Sequence, residues 1–301
     1  MKVAETRKLI TQSIIDALKE GKKPWAKGWT DCPNTLGLAK SLSTGKPYRG
    51  INQWVLQAIA YQRGIQSNGF ATFNQIKHLE GHVKRGSKAI KVIFWKPIKR
   101  DRVNDAGKLV DDSFAVLKTF NVFSVEDTSL ENFQAGYGQS IEPSFDRFEQ
   151  FDRLIEKLGV EVRRGKNKAF YSPSDDVINM PFESQFACHD EWYSSLGHEL
   201  AHWAERRIGV DRSKFDDAYP FFELVAEMAA CMLLNELQIP YANMVNSSNY
   251  IASWLEKMNG DTSYIFKASS WANKAVDFIM SAVKNEKEIL ISAESLPFKG
   301  V

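Results

Sequence analysis

Ile10, Ile14 and Leu18 recur four residues apart, so they share one face of a helix that Gly21 ends. The same spacing of apolar positions predicts helices from Ile51 to Gly64 and from Thr72 to Leu79. The period then falls to two. Ile90, Val92 and Phe94 read as one strand, and the stretch from Phe114 to Phe123 reads as a second. Asp105-Ala106-Gly107 between them suggests a hairpin tip, and Thr44-Gly45-Lys46-Pro47 a turn. Phe94, Phe114, Phe120 and Phe123 are expected in the core of this region, and so is Trp54, which sits beside Val55 and Leu56.

Residues 130–145 break the pattern with Asn132, Gln134, Gly136, Gly138, Gln139, Ser140 and Pro143, the composition of a linker. Beyond it, Phe145 to Leu158 reads as a helix and short strands follow Gly159, up to Val177-Ile178-Asn179-Met180-Pro181. The rest is helical, over about 184–207, 221–237, 249–258 and 262–284. The expected fold is α+β in two domains. A domain with a small antiparallel sheet spans 1–130, a linker 131–144, and a mostly helical domain 145–301.

Charge sharpens this division. The net charge is only +2. Residues 1–130 nevertheless hold 22 Lys and Arg against 11 Asp and Glu, whereas residues 131–301 hold 17 against 26. A basic half beside an acidic half points to separate partners, and a polyanion such as nucleic acid suits the first. No run of roughly 18 apolar residues predicts a membrane span, and the N-terminus lacks the apolar stretch of a signal peptide. Cys32, Cys188 and Cys231 are odd in number and far apart, which excludes a disulfide framework and any Cys-x-x-Cys zinc site. A reducing cytoplasm is the expected compartment.

The chemistry is concentrated in His198-Glu199-Leu200-Ala201-His202. On a helix, positions four apart share a face, so two imidazoles can bind one metal ion from a rigid backbone. Glu199 between them is placed to act as a general base on water, which is the chemistry of metal-dependent hydrolysis, most often of a peptide bond. Trp192, Leu196 and Leu200 continue the helical spacing, and Arg206-Arg207 with Gly209 mark the helix end. No third histidine follows His202, so the remaining protein ligand must come from elsewhere. Glu223 and Glu227 lie four apart in an otherwise apolar helix, where bare carboxylates are costly. One division makes Glu223 the ligand and has Glu227 accept a hydrogen bond from a ligand histidine; the reverse stays open. His78 and His82 share the same spacing, but Gly81 and the basic turn that follows argue against a second metal site.

Single-stranded nucleic acid is held by cationic grooves lined with aromatic rings. The basic half offers Trp25, Trp29, Tyr48, Phe73 and Trp95 close to Lys27, Lys46, Arg49, Lys84, Arg85 and Lys88. No helix carries a sustained face for reading duplex bases.

Several longer stretches carry a family resemblance. They include Ile14-Ile15-Asp16-Ala17-Leu18-Lys19-Glu20-Gly21, Gly45-Lys46-Pro47-Tyr48-Arg49-Gly50-Ile51-Asn52, Ala71-Thr72-Phe73-Asn74-Gln75 and Phe120-Asn121-Val122-Phe123. The metal-helix motif, Glu223-Leu224-Val225-Ala226-Glu227 and Tyr250-Ile251-Ala252-Ser253-Trp254-Leu255 extend it through the second half. The chain resembles the ArdC-type antirestriction proteins of conjugative plasmids. The resemblance implies a single-stranded-DNA-binding domain, with Asn52 and Gln75 added to the DNA-facing residues, joined to a zincin-like metallopeptidase domain of the gluzincin kind. It also implies a divalent metal, zinc before manganese, and a role in protecting incoming plasmid DNA, with a host restriction enzyme as the protein substrate. A shield that binds DNA and keeps a structural or vestigial metal site is the other reading.

Overall fold

The structure is a computed structural model that describes residues 3–20, 38–65, 67–98, 101–103, 109–111, 114–130, 148–215, 218–239, 241 and 248–294. The chain divides into two compact units, Met1–Ala17 with Leu36–Tyr137 and Leu18–Thr35 with Gly138–Val301.

The first unit runs α1 (Val3–Lys19), β1 (Lys40–Ser41), α2 (Ile51–Gln62), β2 (Gly69–Thr72), α3 (Phe73–His78), β3 (Ile90–Ile98), β4 (Asp101–Val103), β5 (Leu109–Asp111) and β6 (Phe114–Ser124). Ile10, Ile14 and Leu18 are buried, as the four-residue spacing of α1 requires. The main sheet has the order β1-β2-β6-β3, and β4 pairs with β5. It is mixed rather than antiparallel throughout, because β1 runs parallel to β2. Parallel neighbours need a crossover, and α2 supplies it. At two residues, β1 is too short to carry a period-two signal. Leu56 and Ala60 of α2 pack on Phe70, Ile90, Val92 and Val122, and a smaller cluster joins Ala71, Ile76 and Val125. The hairpin tip at 105–107 and the whole linker at 131–144 lie outside the described residues.

Two core expectations fail in this unit. Trp54 is fully buried, but Phe94 is 57% and Phe120 is 43% exposed. The β3–β6 ladder continues past the helix that covers its first half, so the alternation persists where the cover ends.

The second unit runs α4 (Glu149–Leu158), β7 (Glu161–Arg164), β8 (Phe170–Ser172), β9 (Val177–Met180), α5 (His189–Arg207), α6 (Ala218–Glu236), α7 (Ser248–Gly260) and α8 (Tyr264–Glu294). Gly159 ends α4 with φ 65°, a left-handed turn that glycine enters without strain. Its sheet has the order β7-β9-β8, with β7 parallel and β8 antiparallel to the buried central strand β9. The helix expected from residue 184 starts instead at His189, after a short 3-10 turn at Glu183–Gln185. No described helix is long and apolar enough to cross a membrane.

Candidate metal centre

Helix α5 begins with Asp190 and Glu191 in its first turn and ends with Arg206 and Arg207 in its last, each sign opposing the helix dipole. Glu191 also accepts a hydrogen bond from the Ala187 N–H at 3.0 Å. Gly197, beside the first histidine, is a point of close approach: a Cβ there would meet Leu234 Cδ1 of α6 at 2.7 Å. The bare glycine lets α6 pack tightly on α5, and α6 carries the third candidate ligand.

The Nε2 atoms of His198 and His202 are 3.2 Å apart. Glu223 lies across from both, with Oε2 3.4 Å from His198 Nε2 and Oε1 3.5 Å from His202 Nε2. A tetrahedral ion with bonds of about 2.0–2.1 Å sets its ligands about 3.3 Å apart, so these residues fit one face of such a site. Among the described residues, no other group of three His, Cys, Asp or Glu offers such a cluster. His78 and His82 are exposed, and His78 Nδ1 lies 2.7 Å from the Asn74 carbonyl.

The electrostatics of the cluster favour a cation. Burial would lower the pKa of His202, but its hydrogen bonds to Glu205 and Glu223 outweigh burial and push it up to about 10. Burial would likewise raise the pKa of Glu223, but the hydrogen bonds from His198 and His202 hold it well below the usual carboxylate range.

The carboxylate that meets a candidate ligand histidine is Glu205, whereas Glu227, expected in that place, bonds elsewhere. Glu205 Oε1 lies 2.9 Å from His202 Nδ1, and its Oε2 accepts from Arg212 at 2.7 Å. Glu205 lies one helical turn beyond His202 on α5 and is 3% exposed. Glu227, one turn beyond Glu223, instead accepts the Tyr241 hydroxyl at 2.6 Å. The spacing His202-x-x-Glu205 was readable in the sequence; Arg212 was not. Such outer partners typically change metal affinity by about 10- to 100-fold when removed. Glu205→Ala is therefore expected to weaken metal binding by that range in a chelator competition. Unchanged affinity would show that His202 needs no such support.

Glu199 is nearly buried, and its Oε2 accepts the backbone N–H of Tyr171 on β8 at 2.8 Å. No described residue donates to its other oxygen, Oε1. The turn after β8 is tied to the end of α5. Arg206 donates to the Pro173 carbonyl at 2.7 Å, and Asp176 accepts from Arg207 at 2.6 Å and from the Tyr171 hydroxyl at 2.7 Å. A cleft of about 1100 Å3 opens over His198, Glu199, His202 and Glu223, with Phe170 and Tyr171 on its wall. Tyr219 and Tyr250 line it too, the Tyr250 hydroxyl donating to that of Tyr219 at 3.1 Å. That bond, burial and the negative charge of Glu223 push the Tyr250 pKa up.

The residues expected to face DNA divide into three groups. Lys46, Arg49, Phe73, Lys84, Arg85 and Lys88 are exposed. Trp25, Lys27, Trp29 and the Trp95 side chain lie outside the described residues. Asn52, Gln75 and Tyr48 are engaged within the fold. The Asn52 amide donates to Ile93 O at 2.7 Å and accepts from Ile93 N at 2.8 Å, covering the backbone of an edge strand. Gln75 forms a capping box with Thr72 and donates to Ser43 at 2.8 Å. The Tyr48 hydroxyl is directed at the Phe70 carbonyl, 3.4 Å away, and burial pushes its pKa up to about 12.

Residues 4–123 match the N-terminal domain of anti-restriction factor ArdC, and residues 149–271 match a zincin-like metallopeptidase. The antirestriction ArdC protein of plasmid R388 is 28% identical. Its metal-free crystal structure superposes with a TM-score of 0.77 over 93% of this chain and 98% of that one. Its Mn(II)-bound structure gives 0.74 over 94% and 98%. Protein y4eC of Sinorhizobium fredii is 28% identical over 90% of both chains. Two DNA primases TraC of Escherichia coli are 27% and 29% identical, and the chain spans 20% and 27% of their lengths. The two domains in this order, and the superposition over nearly the whole chain, establish that the protein belongs to the ArdC-type antirestriction family.

Proposed function

We propose that the protein binds single-stranded DNA through residues 1–130 and hydrolyses a protein substrate at a metal site in residues 145–301, protecting incoming plasmid DNA from host restriction. The observation that carries the peptidase half is the joint placement of three candidate ligand atoms within 4.8 Å of one another and of Glu199, held by one oxygen, along the same cleft. A metal site that served structure alone would have no use for a positioned base.

His198, His202 and Glu223 would hold the ion. Two nitrogens and one carboxylate suit zinc, and the Mn(II)-bound relative extends the range to manganese. When bound, the cation supplies Lewis acidity to the substrate carbonyl and lowers the pKa of water. Glu199 takes the proton from the attacking water and returns it to the leaving amine. The edge of β8 runs along the cleft, and Tyr171 directs its backbone N–H away from β9 and onto Glu199. An extended peptide can add to such an edge by main-chain hydrogen bonds, which places a scissile bond near the base.

The DNA half rests on the basic charge of residues 1–130, on the exposed Lys46, Arg49, Lys84, Arg85 and Lys88, and on the primase relatives. The protein would act in the cytoplasm, where restriction enzymes meet entering DNA. The test incubates purified host restriction subunits with the protein, with and without single-stranded DNA, and follows cleavage by mass spectrometry. Cleavage by the wild type and none by Glu199→Ala is expected. Intact subunits in every arm, with antirestriction retained in a mating assay, would leave only the DNA shield.

A further inference from the structure

Strands β3 and β6 carry Lys91, Lys96 and Lys118 and not one carboxylate. Their register sets Phe94 opposite Lys118 and Val92 opposite Phe120. Opposed residues share a face of the sheet, and so do residues two apart on one strand. Phe94, Lys118 and Phe120 therefore lie on one face, together with Ile90, Val92 and Val122. Those last three are buried against α2. Beyond them the cover stops, and Phe94, Phe120 and Val116 are 57%, 43% and 38% exposed.

We infer that Phe94 and Phe120 form a base-stacking platform for single-stranded DNA, with Lys118, opposite Phe94 and two residues from Phe120, beside both rings to meet the phosphates. This rests on the proposed DNA-binding reading of the N-terminal domain and assigns it a surface that the sequence pattern had placed in the core. Diagonal neighbours on one sheet face lie about 7–8 Å apart, which gives two separate rings for two bases. Bases in a duplex hide their faces in their own stack, so only an unpaired strand can use the rings. A second copy of this chain is a poor occupant, because it would bring Lys118 against its own copy with no carboxylate on either strand to offset the charge.

The test measures binding of a fluorescein-labelled oligothymidylate to the full chain by anisotropy across a salt series. Wild type should bind. Phe94→Ala and Phe120→Ala should each weaken binding by about 5- to 100-fold, the scale of one lost stacking contact. Phe94→Leu should weaken it similarly, since it keeps apolar bulk without a ring, whereas Phe94→Trp should retain it. The salt slope should be unchanged in the aromatic variants and fall by about 0.7 in Lys118→Ala. Wild-type affinity in both alanine variants overturns the platform, and so does a weak Phe94→Trp or a shift in oligomeric state without a shift in DNA affinity. Failure of the wild type itself to bind the oligonucleotide removes the DNA-binding reading beneath it.

Discussion

Protein carrying His198→Ala together with His202→Ala is expected to retain almost no divalent metal by elemental analysis, where the wild type holds one ion per chain. Two of the three candidate ligand atoms are gone, and Glu223 alone, in a site that is largely buried, cannot compete with water and chelators for a cation. Each single variant should also lose most of its metal. Full occupancy in the double variant would falsify the assignment. The wild-type affinity should depend on pH in a defined direction. In protein stripped of metal, His202 keeps its proton up to about pH 10, above its ordinary 6.5. An incoming ion must displace that proton, so apparent affinity should rise with pH between about 7 and 9, by about tenfold per pH unit for one proton released. The stability of the metal-stripped protein follows its own signs. The raised pKa of His202 contributes stability that is fully present below 6.5 and lost as pH climbs through about 10. The lowered pKa of Glu223 contributes stability present above 4.5 and lost in acid. Calorimetric titration from pH 6 to 9 in buffers of different ionisation heat reads the proton release, and a flat affinity profile would contradict it.

Glu199→Gln is expected to reduce peptide hydrolysis by about 100- to 10,000-fold, the usual contribution of a general base. The substitution is close to isosteric, and the Gln side-chain oxygen can still accept the Tyr171 N–H, so the geometry of the cleft is preserved while the base is removed. Metal content should match the wild type, because Glu199 is not among the clustered ligand atoms. Affinity for single-stranded DNA should match as well, because Lys46, Arg49, Lys84, Arg85 and Lys88, the exposed residues proposed to meet DNA, belong to the other half of the chain. Undiminished hydrolysis would show that Glu199 is not the base. Lost hydrolysis with antirestriction intact in a mating assay would show that proteolysis is dispensable for protection.

The gap between pattern and structure is clearest at single residues. Asn52 and Gln75 look like DNA-facing amides in the sequence, yet one is paired with the Ile93 backbone 41 residues away and the other is fixed by Thr72 and Ser43. Nothing local could announce the Ile93 contact, since an amide's partner across a fold leaves no periodic trace. The Gln75 cap was in reach, as Thr72-x-x-Gln75 is a capping-box spacing. Phe94 and Phe120 failed for the opposite reason: alternation reports which face of a strand a residue occupies, but not where the covering helix stops.

The sequence by itself determined the two-domain α+β organisation, the charge division and the pairing of His198 with His202, because helix periodicity, composition and an i, i+4 spacing are local properties of the chain. Tertiary structure decided which carboxylates complete the site. Glu223 reaches the histidines only because α6 packs on α5 at Gly197, and Glu227, with the same apolar neighbours in sequence, is drawn to Tyr241. Glu205 gains its role from Arg212, which arrives from the segment after α5 to hold its second oxygen. A carboxylate in a buried setting takes the partner that packing delivers, because leaving it unpaired there costs more than any local preference can return.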